Sequence, residues 1–274
     1  MQAKGTIGAL PATKTFRQLF RDDEPETSKL AKKTIVNGHR LSETVLTATP
    51  LAKDAAPSRA LAVEQYRLLR TRVLQICRNK RSNIVLITSA IAGDGKTLTA
   101  INLGYSIANL SEKRVLYIEL DLRRPSAHNL LGIRSEAGAH TFLESDCPWQ
   151  KCVHKLTDNL DALLAYNPSL TPNETLLKTE LASFLQEASK EYDIVLLDTA
   201  PLLAAVDTET FLPLINNVLF IVRADKTPID CVRDALALVG EKVVGIVLND
   251  AKTVKYRDYY YSYQSTRSPE GSEI

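Results

Sequence analysis

The chain has 274 residues, 45% of them hydrophobic and 24% charged, enough apolar material for the full core of one α/β domain with tails. A formal net charge of +2 supplies neither the basic excess of a nucleic-acid binder nor that of a membrane-surface protein. No apolar run reaches 18 residues, and the opening Met-Gln-Ala-Lys-Gly lacks the apolar stretch of a signal peptide, so a cytoplasmic location is expected.

Residues 1–57 mix short charged clusters with Pro11, Pro25, Pro50 and Pro57 and show no sustained periodicity. They are expected to form a disordered or weakly structured arm without a clear strand, with a short helix around Lys14 to Arg21. At Ser58 the pattern changes: the serine is placed as the N-cap of a helix whose Leu61, Leu68, Leu69, Val73 and Ile76 form one apolar stripe. Glu64, Arg67 and Arg70 recur every third residue on the opposite side, either as a solvated row or as a docking edge for another subunit.

Residues 83–99 carry the strongest local signal. A β-branched run, Ile84 to Ile87, stops at Ala90-Ile-Ala-Gly-Asp-Gly-Lys-Thr and passes into helical spacing from Leu98 to Leu110. This is strand, phosphate loop, helix: Ala92, Gly93, Asp94, Gly95, Lys96, Thr97 and Leu98 are expected to hold a nucleotide. Gly93 and Gly95 let successive N–H groups turn inward, and the helix adds the positive end of its dipole. Lys96 would reach the β and γ phosphates and the Thr97 hydroxyl would bind Mg²⁺. Against G-x-x-x-x-G-K-[ST] the first position is Ala90 rather than glycine.

Strands and helices then alternate: strand 83–89, helix 97–110, strands 114–119 and 160–165, helix 174–190, strands 192–197 and 217–223, helix 228–239, strand 242–248. Several runs are apolar throughout, as in strands covered by helices on both sides. The expected fold is therefore an α/β, P-loop NTPase-like, doubly wound and mostly parallel sheet, with ligand at the carboxyl ends of its strands. It would occupy residues 58–250; residues 126–158 are the least readable part.

Two further strands end in acids. Asp198 closes a buried run in the manner of the acid that holds Mg²⁺ beside a phosphate loop. Glu119 and Asp121, two apart, are expected on one face of an extended segment. The four cysteines are scattered; Cys147, Cys152 and His154 lack the C-x₂-C spacing and second ligand pair of a zinc site, so they read as ordinary thiols and a histidine. Residues 251–274 form a flexible tail with Tyr256, Tyr259, Tyr260, Tyr261 and Tyr263 inside eight residues.

The A-x-x-x-x-G-K-T loop, the x-D-x-R-R-P segment at Asp121, the L-L-D-T-A-P segment at Asp198, the E-x-x-R-x-x-R helix and the tyrosine cluster together resemble bacterial tyrosine autokinases of the CpsD/CapB type, over residues 59–264. The resemblance implies ATP and Mg²⁺ as cofactors, Lys96 and Thr97 on the phosphates and metal, Asp198 as second metal acid, and Asp121 at the metal and the incoming hydroxyl. It places Glu119 where the family usually has Asp, in the catalytic acidic segment. It implies a homo-oligomeric ring joined through Glu64, Arg67 and Arg70, with the tail tyrosines phosphorylated in a neighbouring subunit. It further implies a membrane co-polymerase or adaptor of the Wzz type, a cognate tyrosine phosphatase, recruitment to the inner face of the membrane, and control of exopolysaccharide or capsule polymerisation and export. One rival is a partition or division ATPase of the MinD/ParA type; these usually carry a lysine where this chain has Ile91. The other is a catalytically weak nucleotide-binding regulator, since Glu119 carries its carboxylate about 1.5 Å farther than Asp would, a displacement that can cost roughly a hundredfold in rate.

Overall fold

The computed structural model describes residues 34–37 and 57–251, except 81, 110–112, 136, 145–146, 170–171, 173–179, 206–207 and 210–211. Along the chain these form β1 (Thr34–Asn37), α1 (Pro57–Lys80), β2 (Ile84–Ser89), α2 (Lys96–Ala108), β3 (Val115–Glu119), α3 (Ala127–Leu131), α4 (Ala139–Glu144), β4 (Val153–Lys155), β5 (Leu160–Leu163), α5 (Glu180–Glu191), β6 (Ile194–Asp198), β7 (Val218–Arg223), α6 (Ile229–Val239) and β8 (Val243–Asn249).

The described strands make one sheet in the order β1-β8-β7-β2-β6-β3-β5-β4. Every pairing is parallel except that of β4 with β5. Alternate residues of each central strand feed two separate cores. Leu86, Leu116, Ile118, Val195, Leu197 and Phe220 pack under α5 and α6 with Phe184, Leu185, Val232 and Val239. Val85, Ile87, Tyr117, Ile194, Leu196 and Ile221 pack under α1 and α2 with Leu69, Val73, Ile101 and Leu103. A strand with cover on both sides has no polar face, which is why these runs are apolar at every position. The expected fold class is the observed one.

Three expectations are corrected. The arm was expected to hold no strand, yet Thr34–Asn37 pairs with β8 from Thr34 opposite Gly245 to Asn37 opposite Leu248; a four-residue edge strand is too short for its periodicity to stand out. The rest of residues 1–56, including the Lys14 to Arg21 segment, lies outside the described residues. Helix α1 begins with Pro57 as its first helical residue, where a missing N–H costs nothing, so Ser58 falls inside the first turn. Its buried face is Ala62, Leu69, Val73 and Cys77, whereas Leu68 is 44% exposed and Ile76 half-buried; the face pointing at α2 is rotated from the one the leucines mark. Residues 126–158, unreadable in sequence, contain α3, α4 and the edge strand β4.

Candidate active site

The carboxyl ends of β2, β3, β6, β7 and β8 meet at one edge of the sheet, and the phosphate loop connects β2 to α2 there. Gly93 and Gly95 both take left-handed φ, 86° and 94°, and Gly95 is the N-cap of α2. Left-handed residues alternating with right-handed ones curl backbone N–H groups into an anion-binding concavity. Ala92 and Gly93 are exposed at the crest, while Thr97 and Leu98 are half-buried in the first helical turn. Lys96 opens the helix and is 7% exposed. Ala90 stands without strain where the motif has glycine: it is wholly buried, its φ is not left-handed, and its carbonyl accepts the Leu203 N–H at 3.2 Å.

Asp94 supports the loop from below. It is buried and accepts the Thr227 hydroxyl at Oδ1, 2.7 Å away, from the turn after β7. Burial raises its pKa, with Thr227 opposing. The Asn249 amide at the end of β8 donates to the Asp94 carbonyl at 2.9 Å, and Arg223 at the end of β7 bonds both the Gly93 carbonyl (3.3 Å) and Asp250 (3.1 Å). Asn249, Thr227 and Arg223 were missed by the sequence reading, because the signal linking them to the loop is a tertiary neighbour more than 120 residues away.

Asp198 ends β6 and is wholly buried. Tyr117, two residues before Glu119 on the adjoining strand, donates its hydroxyl to Asp198 Oδ2 at 2.9 Å. Oδ1 of Asp198 is buried without a hydrogen-bond partner. Burial pushes the Asp198 carboxyl up to about 6, against the opposing pull of the Lys96 ammonium and the Thr97 and Tyr117 hydroxyls. A buried, unpartnered carboxylate oxygen beside the loop lysine and threonine is the donor a hard divalent cation requires. Tyr117 was also missed by the sequence reading; a tyrosine in a β-branched central strand looks like core and nothing more.

Glu119 and Asp121 separate. Strand β3 stops at Glu119, and Asp121 sits in the following turn, where its Oδ1 accepts the Arg124 N–H at 3.1 Å. Burial raises the Asp121 carboxyl, and Lys96 is the first influence holding it down, so Lys96 attends both Asp121 and Asp198. Glu119 is wholly buried, with Oε1 accepting Ser126 N–H (2.6 Å) and Ala127 N–H (2.8 Å) and Oε2 accepting Ala165 N–H (3.1 Å). Burial drives its carboxyl up to about 8 despite those three donors. The expected shared face of Glu119 and Asp121 is corrected: Asp121 lies past the strand end, while both Glu119 oxygens are engaged in holding the start of α3 and the end of β5.

On α1, Arg67 pairs with Glu64, and Arg70 donates to the Ser106 carbonyl of α2 at 2.9 Å. Arg70 thus reaches across the α1–α2 seam, while Glu64 and Arg67 pair with each other, partly exposed. Tyr256, Tyr259, Tyr260, Tyr261 and Tyr263 lie outside the described residues.

Loop, helix, buried lysine and strand-end acid define the class: a P-loop nucleotide-binding domain. Comparison with known proteins agrees, since the family model described as an AAA domain matches residues 82–242. The chain is 30% identical to the tyrosine-protein kinase YwqD of Bacillus subtilis (strain 168) over 74% of its own length and 87% of that protein's. It is 28% identical to the succinoglycan biosynthesis transport protein ExoP of Rhizobium meliloti (strain 1021) over 73% of this chain but only 27% of ExoP. The kinase domain of the Escherichia coli tyrosine kinase ETK superposes with a TM-score of 0.65 at 28% identity, covering 70% of this chain and 78% of that one. The chain belongs to the family of bacterial tyrosine-protein kinases. Among the described residues no helix is long and apolar enough to cross a membrane.

Proposed function

We propose that the chain transfers the γ-phosphoryl group of ATP to Tyr256, Tyr259, Tyr260, Tyr261 and Tyr263 of a neighbouring copy, and that this governs an exopolysaccharide or capsule export assembly. The observation that carries the reading is the buried, unpartnered Asp198 Oδ1 beside Lys96 and Thr97. Thr97 and Asp198 would hold Mg²⁺ with Asp121 nearby, and the ion would neutralise charge developing on the transferred group. Lys96 and the N–H groups of the glycine loop bind the phosphates. Asp121, at the mouth of the site, orients the incoming tyrosine hydroxyl and accepts its proton. Tyr117 fixes the Asp198 carboxylate so that Oδ1 stays directed at the metal position.

A ring of copies joined through Glu64, Arg67 and Arg70 would present each tail to the next site. Each phosphotyrosine adds nearly two negative charges, so the ring loosens as they accumulate and a tyrosine phosphatase resets it. The link to polysaccharide export rests on the ExoP relative, and with it a membrane adaptor of the Wzz type at the inner face of the cytoplasmic membrane. Family membership favours kinase over a MinD/ParA-like positioning ATPase. The engagement of Glu119 by three backbone N–H groups supports one alternative, a nucleotide-binding regulator without phosphotransfer.

Incubation with ATP and Mg²⁺, with and without the adaptor's cytoplasmic tail, followed by phosphotyrosine blotting and mass spectrometry, tests the proposal. Phosphate on the five tail tyrosines, lost when all five become Phe while ATP still binds, is expected. No phosphotyrosine under either condition leaves the regulator.

A further inference from the structure

At the far rim of the sheet, remote in sequence from every site residue, two sulfurs lie side by side. Cys147 precedes a single 3-10 turn, Trp149–Cys152, and Cys152 closes it immediately before the edge strand β4. Their Sγ atoms are 3.7 Å apart. Cys152 is wholly buried, packed with Phe142, Trp149 and Phe184 in the core beneath α5, whereas Cys147 is half-buried against the same core with one side open. His154, two residues beyond Cys152, has its Nε2 engaged by the Tyr166 hydroxyl at 2.9 Å and by the Ala137 carbonyl at 3.3 Å. Among the described residues no group of three metal-binding side chains is assembled. The two sulfurs are therefore a dithiol.

We infer that Cys147 and Cys152 form a peroxide-oxidisable pair that closes into an intramolecular disulfide, a modification site independent of the kinase reading. The half-exposed Cys147 meets the oxidant: its sulfur displaces water from hydrogen peroxide, giving a sulfenic acid and one water. The Cys152 sulfur then attacks the Cys147 sulfur, expelling the hydroxyl as a second water and leaving the S–S bond. Two thiols are oxidised and one peroxide is reduced to two waters. A low-molecular-weight thiol reverses the reaction by exchange.

The division of labour follows from placement. Burial pushes the Cys152 thiol up to about 11, which keeps it protonated and inert toward oxidant in bulk solution. Once Cys147 carries a good leaving group 3.7 Å away, proximity replaces acidity as the factor that selects Cys152. The other two thiols have no such neighbour: Cys77 lies in the core on the opposite side of the sheet and Cys231 on α6. The chain's single tryptophan, Trp149, sits between the two sulfurs in sequence and beside Cys152 in the core, and so reports on the bond.

The full chain is treated with a few-fold excess of hydrogen peroxide, denatured, alkylated with iodoacetamide and digested with a glutamate-specific endoprotease, which does not cut between residues 147 and 152. Two of the four thiols are expected to escape alkylation, with residues 147 and 152 recovered as one internally linked peptide two mass units lighter than its reduced form. Trp149 fluorescence should fall on oxidation and return with dithiothreitol. In C152S the peroxide product should stop at a sulfenic acid on Cys147, trapped by dimedone. Four alkylatable thiols after treatment, a link involving Cys77 or Cys231, or a sulfinic acid on Cys147 of the unsubstituted chain each overturns the assignment, whether or not C152S folds.

Discussion

Tyr117 Oη donates to Asp198 Oδ2 at 2.9 Å, two wholly buried side chains on neighbouring parallel strands, and the other carboxylate oxygen is left with no hydrogen-bond partner. One oxygen is fixed by the fold and the second is reserved. Replacing Tyr117 by Phe removes the fixing hydroxyl while keeping the ring. Mg²⁺-dependent ADP affinity should fall about 10- to 100-fold, the usual loss when a group orienting a metal ligand is removed. Calorimetric titration with and without Mg²⁺ measures it; an unchanged Mg²⁺ increment would leave Tyr117 as core only.

Asp198→Asn should stabilise the metal-free protein while abolishing phosphotransfer. The folded carboxyl sits near 6 against an ordinary 3.8, so the folded chain holds this proton to higher pH than the unfolded chain does. Its contribution to stability therefore declines as pH rises from about 4 to about 6 and is level above that. The cost at pH 7 is at most about 3 kcal/mol, at about 1.36 kcal/mol per pKa unit. Asparagine keeps an acceptor for Tyr117 and carries no charge. Urea midpoints in EDTA should coincide near pH 4 and favour the variant increasingly up to pH 6.

Gly95→Ala tests the loop. Its φ of 94° is left-handed, and a Cβ there would run into the Asn249 amide that bonds the Asp94 carbonyl. A destabilisation of about 1–3 kcal/mol follows from the backbone alone. Nucleotide binding should be lost with it, and adding Asn249→Ala should relieve the collision but not the backbone cost. Paired urea curves and ADP titrations check both.

Glu119→Gln separates structure from catalysis. The amide sets an N–H₂ against one of the backbone N–H groups that Glu119 now accepts, at a cost of about 1–3 kcal/mol. The urea midpoint should fall, while phosphotyrosine formation per folded molecule stays within about tenfold. Abolished phosphotransfer at unchanged stability would restore Glu119 to the chemistry.

The phosphate loop was legible because its determinants are local: an apolar run, two glycines and Lys96-Thr97 occupy adjacent positions and need no partner to be recognised. Asp198 was legible for the same reason, as an acid ending a run buried on both sides. The partners of Glu119 were not legible because an acid at the end of a strand looks the same whether it faces a ligand or three backbone N–H groups. The face of α1 was misread because Leu68 is apolar yet exposed, and the seam with α2 is set by where α2 lies.

The order of residues along the chain determined the alternation of strands and helices, the loop and the strand-end acid, since each depends on neighbours within about a dozen positions. Only the folding of distant segments against one another decided that Tyr117 holds Asp198, that Asn249, Thr227 and Arg223 brace the loop, and that Glu119 serves the backbone. A buried polar atom takes whichever partner the packing brings within about 3 Å, and that choice is not encoded at any single position.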